Sequence, residues 1–364
     1  MGRSLRGRFT GVVRYTHELT RALSARLPGQ LTVFVTRAAD DLDGLDLDRV
    51  RAPFPTPNEY ARALWEQSIV PLQVGRLHPD VYHSPNYILP LTLRCPTVVT
   101  IHDLAFLDRS VHRLRSHLYL SVLAGLAIRR ANRVICVSDF TRDRLVARFP
   151  SARDRVRVVA EGVGPGFRPA ARADVDAFRE RHRLDAPYVL FVGTLEPRKN
   201  LPRLILAFER AVREGGFPHL LVVAGGGGWK EGPVWRAHRE SPLRDRIRFL
   251  GYLDEAELPA AYSGADVFAY PSLEEGFGLP ALEAMACGTP VLTSDGSSLP
   301  EVVGDAAVQA DPRDESALAA ALAGLLGDPR RRRALSAAGR RRARRFAWDA
   351  VAEQTLAVYQ EAAG

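Results

Sequence analysis

Short apolar runs alternate with amphipathic stretches along nearly all 364 residues. Alternation of this kind predicts parallel α/β units, in which a strand is followed by a helix that covers the sheet. In the first half, Leu31–Thr36, Val81–His83, Thr97–His102, Arg133–Val137 and Arg155–Ala160 predict strands. Gly11–Leu27 and Tyr60–Leu77 carry apolar residues at helical spacing. The segment Glu161-Gly-Val-Gly-Pro-Gly-Phe-Arg-Pro169 breaks the pattern and reads as an interdomain linker. The alternation restarts at Tyr188-Val-Leu-Phe-Val-Gly-Thr194. It continues through Leu220–Ala224, Ile247–Leu250, Asp266–Tyr270 and Pro290–Thr293 before a last helix, Trp348–Ala362.

With 46% hydrophobic residues, a chain of this length can bury two ordinary cores. It has no run of about twenty apolar residues and no apolar signal core, which predicts a cytoplasmic protein. Cys95, Cys136 and Cys287 are far apart, lack metal-ligand spacing and read as reduced, packed thiols. The net charge of +8 raises the question of nucleic acid. Much of the excess lies in one helical stretch, at Arg330–Arg333, Arg340–Arg342, Arg344 and Arg345. No aromatic residues interleave it, as stacking on single strands requires, so nucleic acid is not an expected partner. A solvated helix face, or peripheral contact with anionic lipid head groups, remains.

The most informative segment is Pro271-Ser-Leu-Glu-Glu-Gly-Phe-Gly-Leu-Pro-Ala-Leu-Glu283. A strand precedes it and a helix begins within it, so Gly276, Phe277, Gly278 and Leu279 stand where backbone N–H groups and the positive helix end gather. Such a turn holds a diphosphate. Glu275 and Glu283 would repel phosphate, and their natural partners are hydroxyls of a sugar and a ribose. The segment therefore reads as a site for a nucleoside diphosphate sugar. Glu-x7-Glu around Gly-Phe-Gly-Leu-Pro, followed by Ala286-Cys-Gly-Thr-Pro-Val291, resembles the retaining glycosyltransferases of family 4.

That resemblance implies the GT-B fold, two Rossmann-like domains with parallel sheets facing across a cleft. The expected domains are 1–168 on the acceptor side and 169–345 on the nucleotide-sugar side, with a helix over 346–364 returning to the first. Family members open with an apolar strand, whereas residues 1–9 carry four polar or charged side chains and two glycines. A Rossmann sheet starts at its centre, so the expectation is that the natural protein begins upstream.

Cleaving a sugar–diphosphate bond puts charge on the departing phosphate, and a metal or fixed cations must stabilise it. Arg198 and Lys199, in Val192-Gly-Thr-Leu-Glu-Pro-Arg-Lys-Asn200 after a predicted strand, are the expected cations. Many relatives carry an arginine where Thr194 stands. Asp41-Leu-Asp43 and Asp46-Leu-Asp48 match a metal-binding Asp-x-Asp only superficially and read as a surface loop, so no metal and no cofactor is expected. His102, at a predicted strand end, is implied by the resemblance to lie beside the transferred sugar and to hydrogen-bond a sugar hydroxyl. Asp103 and Asn86, in His83-Ser-Pro-Asn86, fall on the acceptor side. Gly11 fits a close-approach turn at the first helix start. The resemblance also places the backbone of Tyr252 and Leu253 against the nucleotide base. The run Gly225–Gly228 is weak evidence for phosphate binding.

The stretch Val192–Leu201 resembles the mannosyltransferase-like branch that builds surface polysaccharides. GDP-mannose is then the first donor to consider, with a lipid-linked or growing glycan as acceptor. A nucleotide-sugar epimerase and a non-catalytic sugar-nucleotide-binding partner are the alternatives.

Overall fold

The computed structural model describes residues 11–35, 42, 44–54, 59–104, 114–228 and 230–364. The opening segment 1–9, Asp41 and Asp43 lie outside these. The chain divides into two compact units. One holds the described residues up to Gly162 together with Trp348–Gly364, and the other holds Val163–Ala347. The chain thus passes between units at 162/163 and 347/348, beside the expected 168/169 and 345/346.

In the first unit, β1 (Thr32–Val35) pairs in parallel with β2 (Asp48–Arg51). The strands β3 (Tyr82–Ser84), β4 (Thr97–Ile101), β5 (Arg133–Cys136) and β6 (Val156–Val158) form a second parallel sheet in that order. β4 is buried along its whole length, as a strand covered on both faces must be. One face packs on Leu104, Ala124, Ala127, Ile128 and Leu145. The other packs on Tyr15 and Leu19 of the helix Gly11–Arg26 and on Trp348, Val351 and Val358 of the helix Trp348–Ala363.

The helix expected over 60–77 has a π segment, Trp65–Ile69, between helices Glu59–Leu64 and Val70–Leu77. Gln67 lies in this segment. Its amide donates to Leu89 O and accepts from Leu91 N, so the widened turn anchors the loop after β3. β2 was not expected, because its sequence Asp-Arg-Val-Arg has no apolar run.

The second unit contains one parallel sheet of six strands. They are β7 (Tyr188–Val192), β8 (Leu220–Ala224), β9 (Ile247–Gly251), β10 (Val267–Tyr270), β11 (Val291–Ser294) and β12 (Val308–Ala310). The spatial order β12-β11-β10-β7-β8-β9 is the doubly wound Rossmann arrangement. No helix of the described residues is long and apolar enough to cross a membrane.

The glycine run after β8 has a structural explanation. Gly193 N donates to Ala224 O and Gly225 N to Gly251 O, lacing the ends of β7, β8 and β9 together. A Cβ on Gly225 would sit 1.9 Å from Gly193 O, an approach that only glycine permits. Gly225→Ala should therefore destabilise the protein by about 3 kcal/mol in chemical denaturation. Gly232→Ala, with nothing within 4 Å of the added carbon, should be close to neutral.

Candidate functional site

β7 and β10 are neighbours whose connections leave in opposite directions, β7 toward β8 and β10 toward β11. At such a switch point the loops beyond the strand ends diverge and leave a crevice where ligands bind. The two loops here are residues 193–200 and 271–278, the two segments that carry the chemistry in the sequence. They are fastened to each other. Leu273 N donates to Arg198 O at 2.7 Å. Asn200, left-handed at φ 60°, donates its buried side-chain amide to Pro271 O and Pro312 O.

The fastening centres on ions. Glu275 Oε1 lies 2.6 Å from Lys199 Nζ, and Glu275 Oε2 lies 2.8 Å from Arg198 Nη1. Arg198 Nε also meets Glu196 Oε1 at 2.6 Å, and Lys199 Nζ donates to Tyr270 Oη at 2.5 Å. Two carboxylates and two cations therefore balance. Burial would raise the Glu275 carboxyl, but the charges of Lys199 and Arg198 overcome it and hold the group at about 2. Lys199 bears the opposite effect: burial and then Arg198 pull it below the ordinary lysine value, and Glu275 only partly offsets them. The expected diphosphate cations and the expected sugar ligand are thus one preassembled cluster.

Beside the cluster the chain turns into the helix Leu279–Ala286 through Gly278, at φ 108°. The N–H groups of Phe277 and Gly278 donate to no acceptor among the described residues. Ser298 Oγ lies 2.9 Å from both Glu275 O and Phe277 O, and Ser297 Oγ accepts from Glu275 N. Ser297 adopts φ 59°, an unfavourable conformation for serine that places its hydroxyl under the loop. Glu283 is buried on the helix, where Tyr262 Oη donates to its Oε2 at 3.0 Å. A carboxylate oxygen accepts more than one hydrogen bond, so Glu275 and Glu283 retain the capacity to bind hydroxyls.

Thr194 is exposed, and Glu196 N donates to its carbonyl. Tyr252 and Leu253 follow β9, with Leu253 buried. Four predicted residues belong to the first unit. Gly11 is an exposed helix start. His102 follows β4 and is buried, with both ring nitrogens engaged: Nδ1 lies 2.7 Å from Glu161 Oε1 and Nε2 lies 2.9 Å from Pro85 O. Both ring nitrogens thus meet protein groups, a carboxylate and a backbone carbonyl. Asp103 Oδ1 accepts from Tyr87 Oη, and Asn86 Oδ1 is buried without an acceptor's partner among the described residues. Asp46 and Asp48 are exposed, and no group of three or more His, Cys, Asp or Glu that could hold a metal occurs among the described residues.

Sequence reading missed Tyr270, Ser297, Ser298 and Glu161. Ser-Asp-Gly-Ser-Ser298 after a predicted strand is a turn signal that could have marked two of them.

Two family models match the chain: Glycosyltransferase Family 4 over residues 9–167 and Glycosyl transferases group 1 over residues 174–342. The O-antigen chain mannosyltransferase B of Escherichia coli is 31% identical across 96% of this chain and 96% of its own. Sucrose-phosphate synthase from Thermosynechococcus elongatus superposes with a TM-score of 0.76 at 25% identity, covering 97% of this chain and 93% of that one. WaaG, a glycosyltransferase involved in lipopolysaccharide biosynthesis, shares the fold with a TM-score of 0.74 at 16% identity, over 97% and 96% of the two chains.

Because Glu275 depends on its cations, Lys199→Met should cost about 3 kcal/mol in denaturant unfolding, the price of stranding a buried charge. Adding Glu275→Gln should recover part of that loss, with a coupling above about 1 kcal/mol in the double-mutant cycle. Additive effects would show that the two groups do not interact.

Proposed function

The chain is a glycosyltransferase of family 4 with the GT-B fold, and from that premise we propose that it moves a hexose, mannose first, from a nucleoside diphosphate to an acceptor hydroxyl with retention. The supporting observation is the Arg198–Glu275–Lys199 cluster at the β7/β10 switch point, next to the start of the helix Leu279–Ala286. In this reading the donor diphosphate lies against Arg198, Lys199 and the N–H groups of residues 276–279. Glu283 takes the ribose hydroxyls, Glu275 takes hydroxyls of the sugar, and the main chain of Tyr252 and Leu253 faces the base.

The anomeric carbon–phosphate oxygen bond breaks as the bond to the acceptor oxygen forms on the same face. The acceptor proton passes to the departing diphosphate. Arg198, Lys199 and the helix start stabilise the negative charge that appears there, worth roughly 3 kcal/mol per well-placed donor. A metal has no role in this scheme. The similarity to an O-antigen chain mannosyltransferase supports GDP-mannose as donor and a growing surface glycan as acceptor.

The basic helix Pro329–Ala343 supports a cytoplasmic enzyme that works at an anionic membrane surface. Arg332 and Arg342 face inward, donating to Leu325 O and Leu326 O and to Val302 O and Glu301 O. Arg330, Arg331, Arg333, Arg340, Arg341, Arg344 and Arg345 are exposed, and no acidic residue occurs from 329 to 348. Each such charge near an anionic bilayer contributes about 1 kcal/mol.

GDP-mannose should raise the melting temperature more than UDP-glucose, with no change on adding EDTA. The product's anomeric NMR signal should match the donor's configuration. Arg198→Met should lower kcat about a hundredfold. Co-sedimentation with vesicles containing phosphatidylglycerol should decline when Arg333, Arg340, Arg341 and Arg344 are replaced by glutamine, while phosphatidylcholine vesicles should not bind either form.

A further inference from the structure

His102 is held by two partners of unequal chemistry. Pro85 O is only an acceptor, so Nε2 must carry a proton. Nδ1 faces a carboxylate oxygen at 2.7 Å, a distance that two lone pairs cannot share, so a proton lies there as well. The side chains of His102 and Glu161 are only 7% and 6% exposed, which leaves little water to mediate the contact. We infer that Glu161 is a positioning residue that keeps His102 a doubly donating imidazolium, so that the ring is a fixed positive charge bracing the Pro85–Asn86 turn and not a neutral acceptor or base. The kinetic part of the inference rests on the proposed sugar transfer.

The surroundings agree. The edge contacts on the ring come from Tyr15, with centroids 4.6 Å apart, and from Tyr87 at 6.0 Å. Burial pushes the Tyr15 hydroxyl upward, so it stays neutral. His83, on the adjacent strand, is pushed down to about 3 by burial and then by His102, and it too is neutral. Its nitrogens meet Tyr359 Oη and Thr100 Oγ1, neither of which is charged. Asp103 is a further acidic neighbour, and it too favours a charged ring. For His102, burial alone would disfavour the charge, but the hydrogen bond and charge of Glu161 outweigh it and raise the ring's affinity for its proton.

A raised value stabilises the fold fully below the unfolded value of about 6.5, and that stabilisation is lost as pH rises through the folded value. A ring that already carries both protons cannot take up another, which rules His102 out as the group that accepts the acceptor's proton.

The test is ring-nitrogen NMR of the 15N-histidine-labelled full chain, with His102→Gln for assignment, alongside kcat and KM against pH. In the wild type, both nitrogens of His102 should be protonated at pH 7.5. In Glu161→Gln the ring should be neutral at that pH with its proton on Nε2. The alkaline limb of kcat should then move down by about one pH unit while donor KM changes less than threefold. Glu161→Asp should restore part of the shift. A neutral His102 in the wild type at pH 7 overturns the inference, as does a Glu161→Gln variant with wild-type ring ionisation. Absence of any sugar transfer by the wild type would count against the proposed function alone, because the NMR result is read without turnover. If Glu161→Gln does not fold, the wild-type titration decides by itself.

Discussion

One carboxylate, that of Glu275, joins the two loops on which the second unit's site depends. A buried carboxylate must find charge or protons nearby, and here both cations come from the loop after the neighbouring strand. The shape of residues 193–200 and that of residues 271–278 are therefore not independent. Leu273 N on Arg198 O and Asn200 on Pro271 O repeat the same connection in neutral hydrogen bonds. Among the 50 basic residues of the chain only Lys199 and Lys230 are lysines. At position 199 a compact ammonium, unlike a planar guanidinium, fits between a carboxylate and a tyrosine hydroxyl.

The first unit treats two histidines of neighbouring strand ends in two ways. His83 meets hydroxyls and stays neutral, whereas His102 meets a carboxylate and takes charge. The partners differ, hydroxyls for one ring and a carboxylate for the other. A single residue, Glu161, thus changes the electrostatic character of the edge of β4.

Much of this was legible in the sequence because the relevant signals are local. Residues 271–283 carry a strand end, a glycine turn and a helix start in one uninterrupted string, and Arg198 and Lys199 stand at the end of an apolar run. Glu161 was not legible as a partner of His102. It lies 59 residues away inside a stretch that reads as linker, and only the fold brings the two together. Tyr270 was hidden for a different reason, since an aromatic residue ending a buried strand reads as core. β2 escaped because its charged sequence contradicts strand patterning, and pairing with β1 overrides that local preference. The π segment escaped because apolar residues at helical spacing predict a helix without specifying one widened turn inside it.

The helix Trp348–Ala363 belongs to a unit whose other residues lie more than 180 positions earlier in the chain. Trp348, Val351, Ala352 and Val358 close the core face formed by Tyr15, Leu19 and Val98, and the indole of Trp348 lies so near Gly162 that an added Cβ would come within 2.7 Å of it. During synthesis the first unit's strands leave the ribosome early and yet must wait, with one apolar face open, for the final helix to emerge. The second unit is continuous from Val163 to Ala347 and has its whole core available sooner. For this chain the second unit is therefore complete before the first, the reverse of the usual amino-to-carboxyl order in which domains become able to fold.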